Sequence, residues 1–198
     1  LPYKVQVTAT VQDALVRIAL HNAGEVAAVV HAYDRLDLQA APRRYTLAAA
    51  GQWQDDWRAS SDGRYDLWLL APNGWHCHLA GTCSAQVPEV RLLQSKSGLW
   101  LVFENPGPEP AEMQIRPLAY TKREPAIVSV PAKRRLLHSL PLALHRWYDW
   151  HVSWLQAPGT AWRFAGHAEN GQASITDPAM HGAARLQHAS GVPQDFRA

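Results

Sequence analysis

An internal repeat constrains the fold of this chain more than any other feature of its sequence. The segment Val16–Gly24 matches Leu99–Gly107 in its order of apolar and polar residues, and both segments end in Asn, one further residue and Gly. Tyr65 and Tyr148, each followed by Asp, are separated by the same interval as these two segments. Because an offset that holds at two distant places is hard to obtain by chance, we expect the chain to contain two copies of one domain.

Each copy has the residue pattern of short β-strands. Apolar side chains alternate with polar ones over residues 3–10, and Val16, Ile18 and Leu20 continue the alternation in the next segment. Asn73-Gly74 between two apolar segments is a strong signal for a β-hairpin, since both central residues of a type I′ turn have positive φ. Roughly seven such strands per copy are typical of the immunoglobulin type of sandwich. The sequence therefore predicts an all-β fold of two tandem immunoglobulin-like β-sandwich domains.

The repeat also predicts where the domains begin and end. We expect the first β-sandwich at residues 1–84, the second at 85–180, and a poorly ordered C-terminal tail at 181–198, where the alternation has faded. The linker at residues 81–88 is short, so the two sandwiches should be held close together. The chain starts at Leu1 without Met, and we interpret it as a piece of a longer protein or as a mature product.

Composition excludes several classes of protein. The net charge is only +2 and the basic residues are scattered, which does not indicate a nucleic-acid partner. No apolar run approaches the ~18 residues that a membrane-spanning helix needs. Two cysteines are too few for a disulfide scaffold, and they leave the redox compartment open.

Three motifs in the first copy resemble those of a known family. They are PRRYT at Pro42–Thr46, YDLW at Tyr65–Trp68 and PNGWH at Pro72–His76, in this order. The second copy contributes Tyr148-Asp149 and Thr176–Pro178, which match a more divergent companion domain. Over essentially its whole length, the chain resembles the tandem C-terminal domains of bacterial phosphocholine-preferring phospholipases C, of the hemolytic and non-hemolytic types.

The resemblance implies a non-catalytic role. In that family an N-terminal hydrolase domain carries the active site, so no catalytic residue is carried over to this chain, and neither a cofactor nor a metal is expected. The implied protein acts on phosphocholine lipids and is periplasmic or secreted. Its C-terminal region packs against the catalytic domain, supports it and aids docking to lipid. The residues themselves also indicate a non-catalytic role, since the sequence has no phosphate-binding loop, zinc-protease motif or nucleophile elbow.

An alternative of another class is a free-standing carbohydrate-binding or adhesion β-sandwich module. Its support is the surplus of aromatic residues, nine Trp and six Tyr, because such rings stack on sugars.

Arg43, Arg44 and Tyr45 are the first candidate site residues. Arg presents a planar fork that suits phosphate and carboxylate, so these residues could bind an anion. They could equally contact the catalytic domain, or form an exposed strand entry after Pro42. The sequence leaves these three interpretations open.

Trp75 and Trp162 are the candidate lipid contacts. Each follows a turn that contains Pro, and the two positions look equivalent in the two copies. An exposed Trp favours the membrane interface, where its ring and its N–H are both accommodated. The alternative is that both indoles pack in the core or against a turn.

His76, Cys77, His78 and Cys83 form the one group that resembles a metal site. Residues i and i+2 of a strand share a face, so the two His could bind one ion, but Cys77 would point to the opposite face. A disulfide between the two cysteines and two unpaired thiols are the other possibilities.

Overall fold

The computed structural model describes residues 3–83, 86–95, 98–143, 145–170 and 175–180. The strands of the first half are β1 (Val5–Gln12), β2 (Leu15–Asn22), β3 (Ala28–Asp34), β4 (Arg43–Leu47), β5 (Gln52–Arg58), β6 (Arg64–Leu70) and β7 (His76–Thr82). Those of the second half are β8 (Glu89–Gln94), β9 (Leu99–Glu104), β10 (Ala111–Ala119), β11 (Ala126–Val130), β12 (Arg135–Leu140), β13 (Trp147–Trp154) and β14 (Ala161–His167). A 3-10 helix follows at Pro178–Met180. The predicted tail at 181–198 lies outside the described residues.

Each half is a two-layer sandwich. In the first half, a sheet ordered β1-β2-β5 faces four strands ordered β4-β3-β6-β7. In the second half, a sheet ordered β8-β9-β12 faces four strands ordered β11-β10-β13-β14. Every strand of the first half has its counterpart at the same place in the second half. The prediction of an all-β sandwich fold is confirmed.

Alternation along the strands builds the core between the layers. On β2, Val16, Ile18 and Leu20 are at most 2% exposed, while Arg17 between them faces solvent. Phe103, the counterpart of Leu20, is fully buried. Burying a side chain of this size contributes about 1.5–3 kcal/mol, so each of these alternating residues stabilises the sandwich substantially.

A buried Asn closes the same loop in both halves. Nδ2 of Asn22 donates to the carbonyls of Val26 (2.7 Å) and Ala48 (3.0 Å), and its Oδ1 accepts from the backbone N–H of Gly24 (3.0 Å). The same bonds recur in the second copy: Nδ2 of Asn105 donates to the carbonyls of Glu109 and Pro131, and its Oδ1 accepts from the N–H of Gly107. The side chain thus supplies partners to buried backbone groups that no strand pairs. This is why the Asn-x-Gly signal appears twice in the sequence.

The two halves share one sheet. β7 pairs antiparallel with β14, with Cys77 opposite Phe164 and Leu79 opposite Trp162, so the two four-stranded sheets become one sheet of eight strands. The short linker predicted two sandwiches held close together, but nothing in the sequence predicted that their sheets would merge. An alternating strand looks the same in sequence whether its outer edge is open or paired.

The junction has a local two-fold relation. Tyr65 lies opposite Gly81 and Tyr148 lies opposite Gly166, so β7 and β14 are equivalent strands, although the hairpin that leads to β14 is longer. His78 is therefore the counterpart of Arg163, and these two residues pair directly across the junction. Equivalent strands that pair with each other make a self-complementary contact, as in a two-fold symmetric dimer.

Candidate functional site

The predicted anion-contact segment is largely used within the first sandwich. Nη1 of Arg43 donates to Asp55 (2.8 Å), and its guanidinium lies 4.0 Å from the ring centroid of Trp57. The hydroxyl of Tyr45 donates to the same Asp55 (2.6 Å) and accepts from Nε1 of Trp57 (3.2 Å). We call these four residues the β4–β5 clasp, because they join the two edge strands of opposite layers.

Electrostatics support a structural role for the clasp. Burial and the hydrogen bond to Asp55 raise the pKa of Tyr45 to about 12. Burial alone would raise the pKa of Asp55, but the hydrogen bonds from Tyr45 and Arg43 hold it below its ordinary value. At neutral pH, Tyr45 therefore stays protonated and Asp55 stays ionised. The negative charge of Asp55 already balances the positive charge of Arg43.

Arg44 is the one member of the predicted triplet that points away from the clasp. It is exposed on β4, opposite His31, and has no ion-pair partner among the described residues. Contact of Arg44 with an anion or with another domain stays a prediction.

The expected exposure of Trp162 is wrong. Its side chain is 3% exposed and lies in the core opposite Leu79. The hairpin between β13 and β14 contains a two-residue insertion relative to the one between β6 and β7, so the counterpart of Trp162 is Cys77 rather than Trp75. Trp75 is half-buried and packs against the core. Contact of Trp75 with lipid stays a prediction.

The His-Cys-His segment has the geometry predicted for a strand. The rings of His76 and His78 share the outer face and stack with centroids 6.5 Å apart, while Cys77 is fully buried on the other face. Cys77 and Cys83 are free thiols, and burial raises the pKa of both. Within the described ranges no group of three or more His, Cys, Asp or Glu side chains could hold a metal ion.

The outer face of the junction carries a polar cluster that the sequence analysis missed. Oδ1 of Asp66 lies 2.6 Å from Nε2 of His78, and the counterpart pair, Asp149 and Arg163, is joined at 2.7 Å. Arg35 adds an ion pair to Asp66 at 3.3 Å. We call these side chains, with His76, Trp68 and His151, the junction face. The repeated Tyr-Asp signal marked the two carboxylates, and each meets its partner on the next strand of its own hairpin, β7 for Asp66 and β14 for Asp149. The approach of the two pairs to each other depends on the junction, which the sequence does not show.

The histidines of the junction face are neutral at pH 7. Burial and the nearby Arg163 lower the pKa of His76 to about 4, and burial and Arg116 lower that of His151 to about 4. Burial also lowers the pKa of His78, although Asp66 opposes the shift.

We expect this cluster to make stability depend on pH. As pH falls through 6.5, the ordinary pKa of His, the unfolded chain binds protons that the folded chain does not bind until about pH 4. The free energy of unfolding should therefore decrease between these two values, with no further loss from these groups below pH 4. Urea titrations at several pH values measure this slope. It should become shallower in a His76→Gln, His151→Gln double variant, and an unchanged slope would contradict the assignment.

A second polar cluster fixes the hairpin of the first half to the second half. Asn73 and Gly74 have φ of 62° and 67°, which confirms the predicted turn. Nδ2 of Asn73 donates to the buried carboxylate of Glu169 (2.5 Å), which lies 3.0 Å from Nδ1 of His167. The tip of this hairpin is thus a contact between the halves rather than a free loop.

None of the helices in the described residues has the length and hydrophobicity of a membrane-spanning segment.

Comparison with known proteins places these features in a family. The family described as "Bacterial phospholipase C, C-terminal domain" matches residues 1–82 and, separately, residues 85–167. A non-hemolytic phospholipase C of Pseudomonas aeruginosa is 30% identical over 194 residues, which cover 91% of this chain and 28% of that protein. A non-hemolytic phospholipase C of Burkholderia pseudomallei is 29% identical over 191 residues, which cover 90% of this chain and 27% of that protein.

The chain therefore spans less than a third of the length of the relatives that it matches. The resemblance inferred from the three motifs is confirmed, and the two matched segments correspond to the two sandwiches of the structure. The chain belongs to the family of bacterial phospholipase C C-terminal domains.

Proposed function

We propose that this chain is the non-catalytic C-terminal region of an exported phospholipase C that acts on phosphocholine lipids, where it supports the catalytic domain. The observation that carries the proposal is the junction of β7 and β14. Because it joins two family domains through a continuous sheet, backbone hydrogen bonds and not the linker alone hold the two sandwiches together. Two sandwiches joined in this way are suited to holding another domain in a fixed position.

Two of the three residues that the sequence offered for anion binding are used inside the fold. Arg43 and Tyr45 both donate to Asp55. These bonds join the two layers of the first sandwich, so the groups contribute to its stability, since truncating one partner leaves the partly buried other unsatisfied.

The alternative of a free-standing sugar-binding module has weaker support. Of the nine Trp residues, Trp57, Trp147, Trp150 and Trp162 are at most 7% exposed. Only Trp53 is more than half exposed among the Trp side chains that the structure describes. Trp75 and Trp154 also pack partly against the core, so six of the nine Trp side chains are used inside the fold.

The proposal predicts that the chain alone hydrolyses no phosphodiester. We expect no turnover of p-nitrophenyl-phosphocholine by purified residues 1–198, and turnover by the longer polypeptide that carries them. The reason is that the nucleophile and the groups that activate it lie in the catalytic domain. Turnover that co-purifies with the chain through successive columns, and that is lost when the chain is unfolded, would overturn the proposal.

A further inference from the structure

One side of the second sandwich lacks the residues that close the first. In the first half, the β4–β5 clasp bridges the two layers. The equivalent positions of the second copy hold Ala126, Val128, His138 and Leu140, which can form neither the ion pair nor the hydrogen bonds of the clasp. We call the side between β11 and β12 the open seam. The repeat itself provides the comparison, because the two sides are otherwise built from equivalent strands.

Apolar side chains line the open seam. Val128 and Leu136 pack against the core but remain half-buried. On either shoulder, Ile127 is 61% exposed and Leu137 is 58% exposed. Isolated exposed apolar residues need no explanation, but two exposed and two half-buried apolar side chains along one side of a sandwich suit a contact surface.

β11 is also an unprotected sheet edge. It is the last strand of the eight-stranded sheet, and its five residues, AIVSV, include no charge. Of the edges that lie away from the junction, β4 carries two Arg, β5 carries two Asp and one Arg, and β12 begins with Arg135. The uncharged edge β1 lies against β8. Proteins usually place charges on such edges to prevent pairing with other strands. A sheet edge without charges, such as β11, is suited to pair with an additional strand.

The rim of the seam is mainly basic. Lys122 and Arg123 precede β11, Arg134 precedes β12 and Arg135 begins it. These four exposed side chains outnumber the acidic Glu124 beside them. An apolar centre with a polar rim is the usual composition of a protein interface. The partner should therefore present apolar side chains surrounded by acidic ones.

We propose that the open seam is where the catalytic portion of the longer polypeptide docks, with an extended segment of that portion adding to β11. This rests on the proposed function. Relatives of this chain are more than three times as long as the part that matches it, so a large partner is attached covalently. Covalent attachment gives an effective concentration in the millimolar range, at which a five-residue strand addition suffices. A second copy would not be attached covalently and would have to bind through its contact area alone. Pairing of so short an edge buries far less surface than the ~1,600 Å² of a standard interface.

Hydrogen exchange of the longer polypeptide, compared with residues 1–198 alone, tests the proposal. We expect the amides of residues 126–130 to exchange about tenfold or more slowly in the longer polypeptide. An Ile127→Lys, Leu137→Lys double variant should lose this protection, because it puts charges on exposed apolar contacts. Gln54 is the counterpart of Leu137 in the first half, and Gln54→Lys is the matched control, which should leave the protection unchanged.

The outcomes separate this inference from the proposed function. Protection of another surface, such as β4 with Arg44, would overturn the open seam as the docking site and leave the supporting role intact. No protection anywhere would overturn both. Protection that appears in the chain alone as its concentration rises would identify a second copy as the partner and overturn the inference. Equal melting temperatures of the chain with and without the double substitution show that lost protection is not lost folding.

Discussion

Replacing Trp162 by Ala should lower the free energy of unfolding by about 3–5 kcal/mol, the range for truncating a large core side chain. The indole is buried opposite Leu79 at the junction, so its loss leaves a cavity between the two halves as well as within the second sandwich. Urea denaturation measures the change. Trp53, 53% exposed on an edge strand, is the matched control, and its replacement by Ala should cost less than about 1 kcal/mol.

The same pair of variants separates packing from lipid contact. If Trp162 contacted a membrane, Trp162→Ala would weaken vesicle binding while leaving stability nearly unchanged. A loss of stability smaller than that of Trp53→Ala would contradict the core assignment.

Replacing Asn22 by Ala should cost on the order of 3 kcal/mol, because several backbone groups lose a hydrogen bond to this side chain at once. The side chain is fully buried and bonds both to carbonyl oxygens and to the N–H of Gly24. Asn105→Ala should have a similar effect, since its bonds repeat those of Asn22. Urea denaturation of each single variant measures the cost.

Asn22→Asp is the informative companion variant. It keeps the size of the side chain and an acceptor for Gly24, but its carboxylate cannot donate to the carbonyls of Val26 and Ala48. We expect it to be at least as destabilising as Ala. Nearly native stability of Asn22→Asp would show that the donated hydrogen bonds contribute little.

Local patterns in the sequence predicted local structure well. Alternation located the buried residues of β2, Asn73-Gly74 formed its turn, and the paired Asn-x-Gly segments marked loops closed by the same hydrogen bonds. Each of these depends on residues close in the chain or on a single burial pattern.

Two features that were not predicted depend on a distant pairing, and one prediction failed because of a local insertion. The merging of the two sheets requires β7 to meet β14, and no residue of either strand marks its edge as paired. The junction face follows from that pairing, since His78 and Arg163 are neighbours only because the strands are. The supposed equivalence of Trp75 and Trp162 failed because a two-residue insertion precedes β14, which an alternating pattern does not reveal.

The junction also changes how many sheet edges the molecule exposes. Two separate four-stranded sheets would expose four edges, whereas the eight-stranded sheet exposes only those of β4 and β11. Because β7 pairs with its own counterpart, a single sandwich would carry an edge complementary to itself and would tend to join a second copy. The repeat thus contains, in one polypeptide, an association that a lone domain could make only as a dimer, and dilution cannot separate its halves.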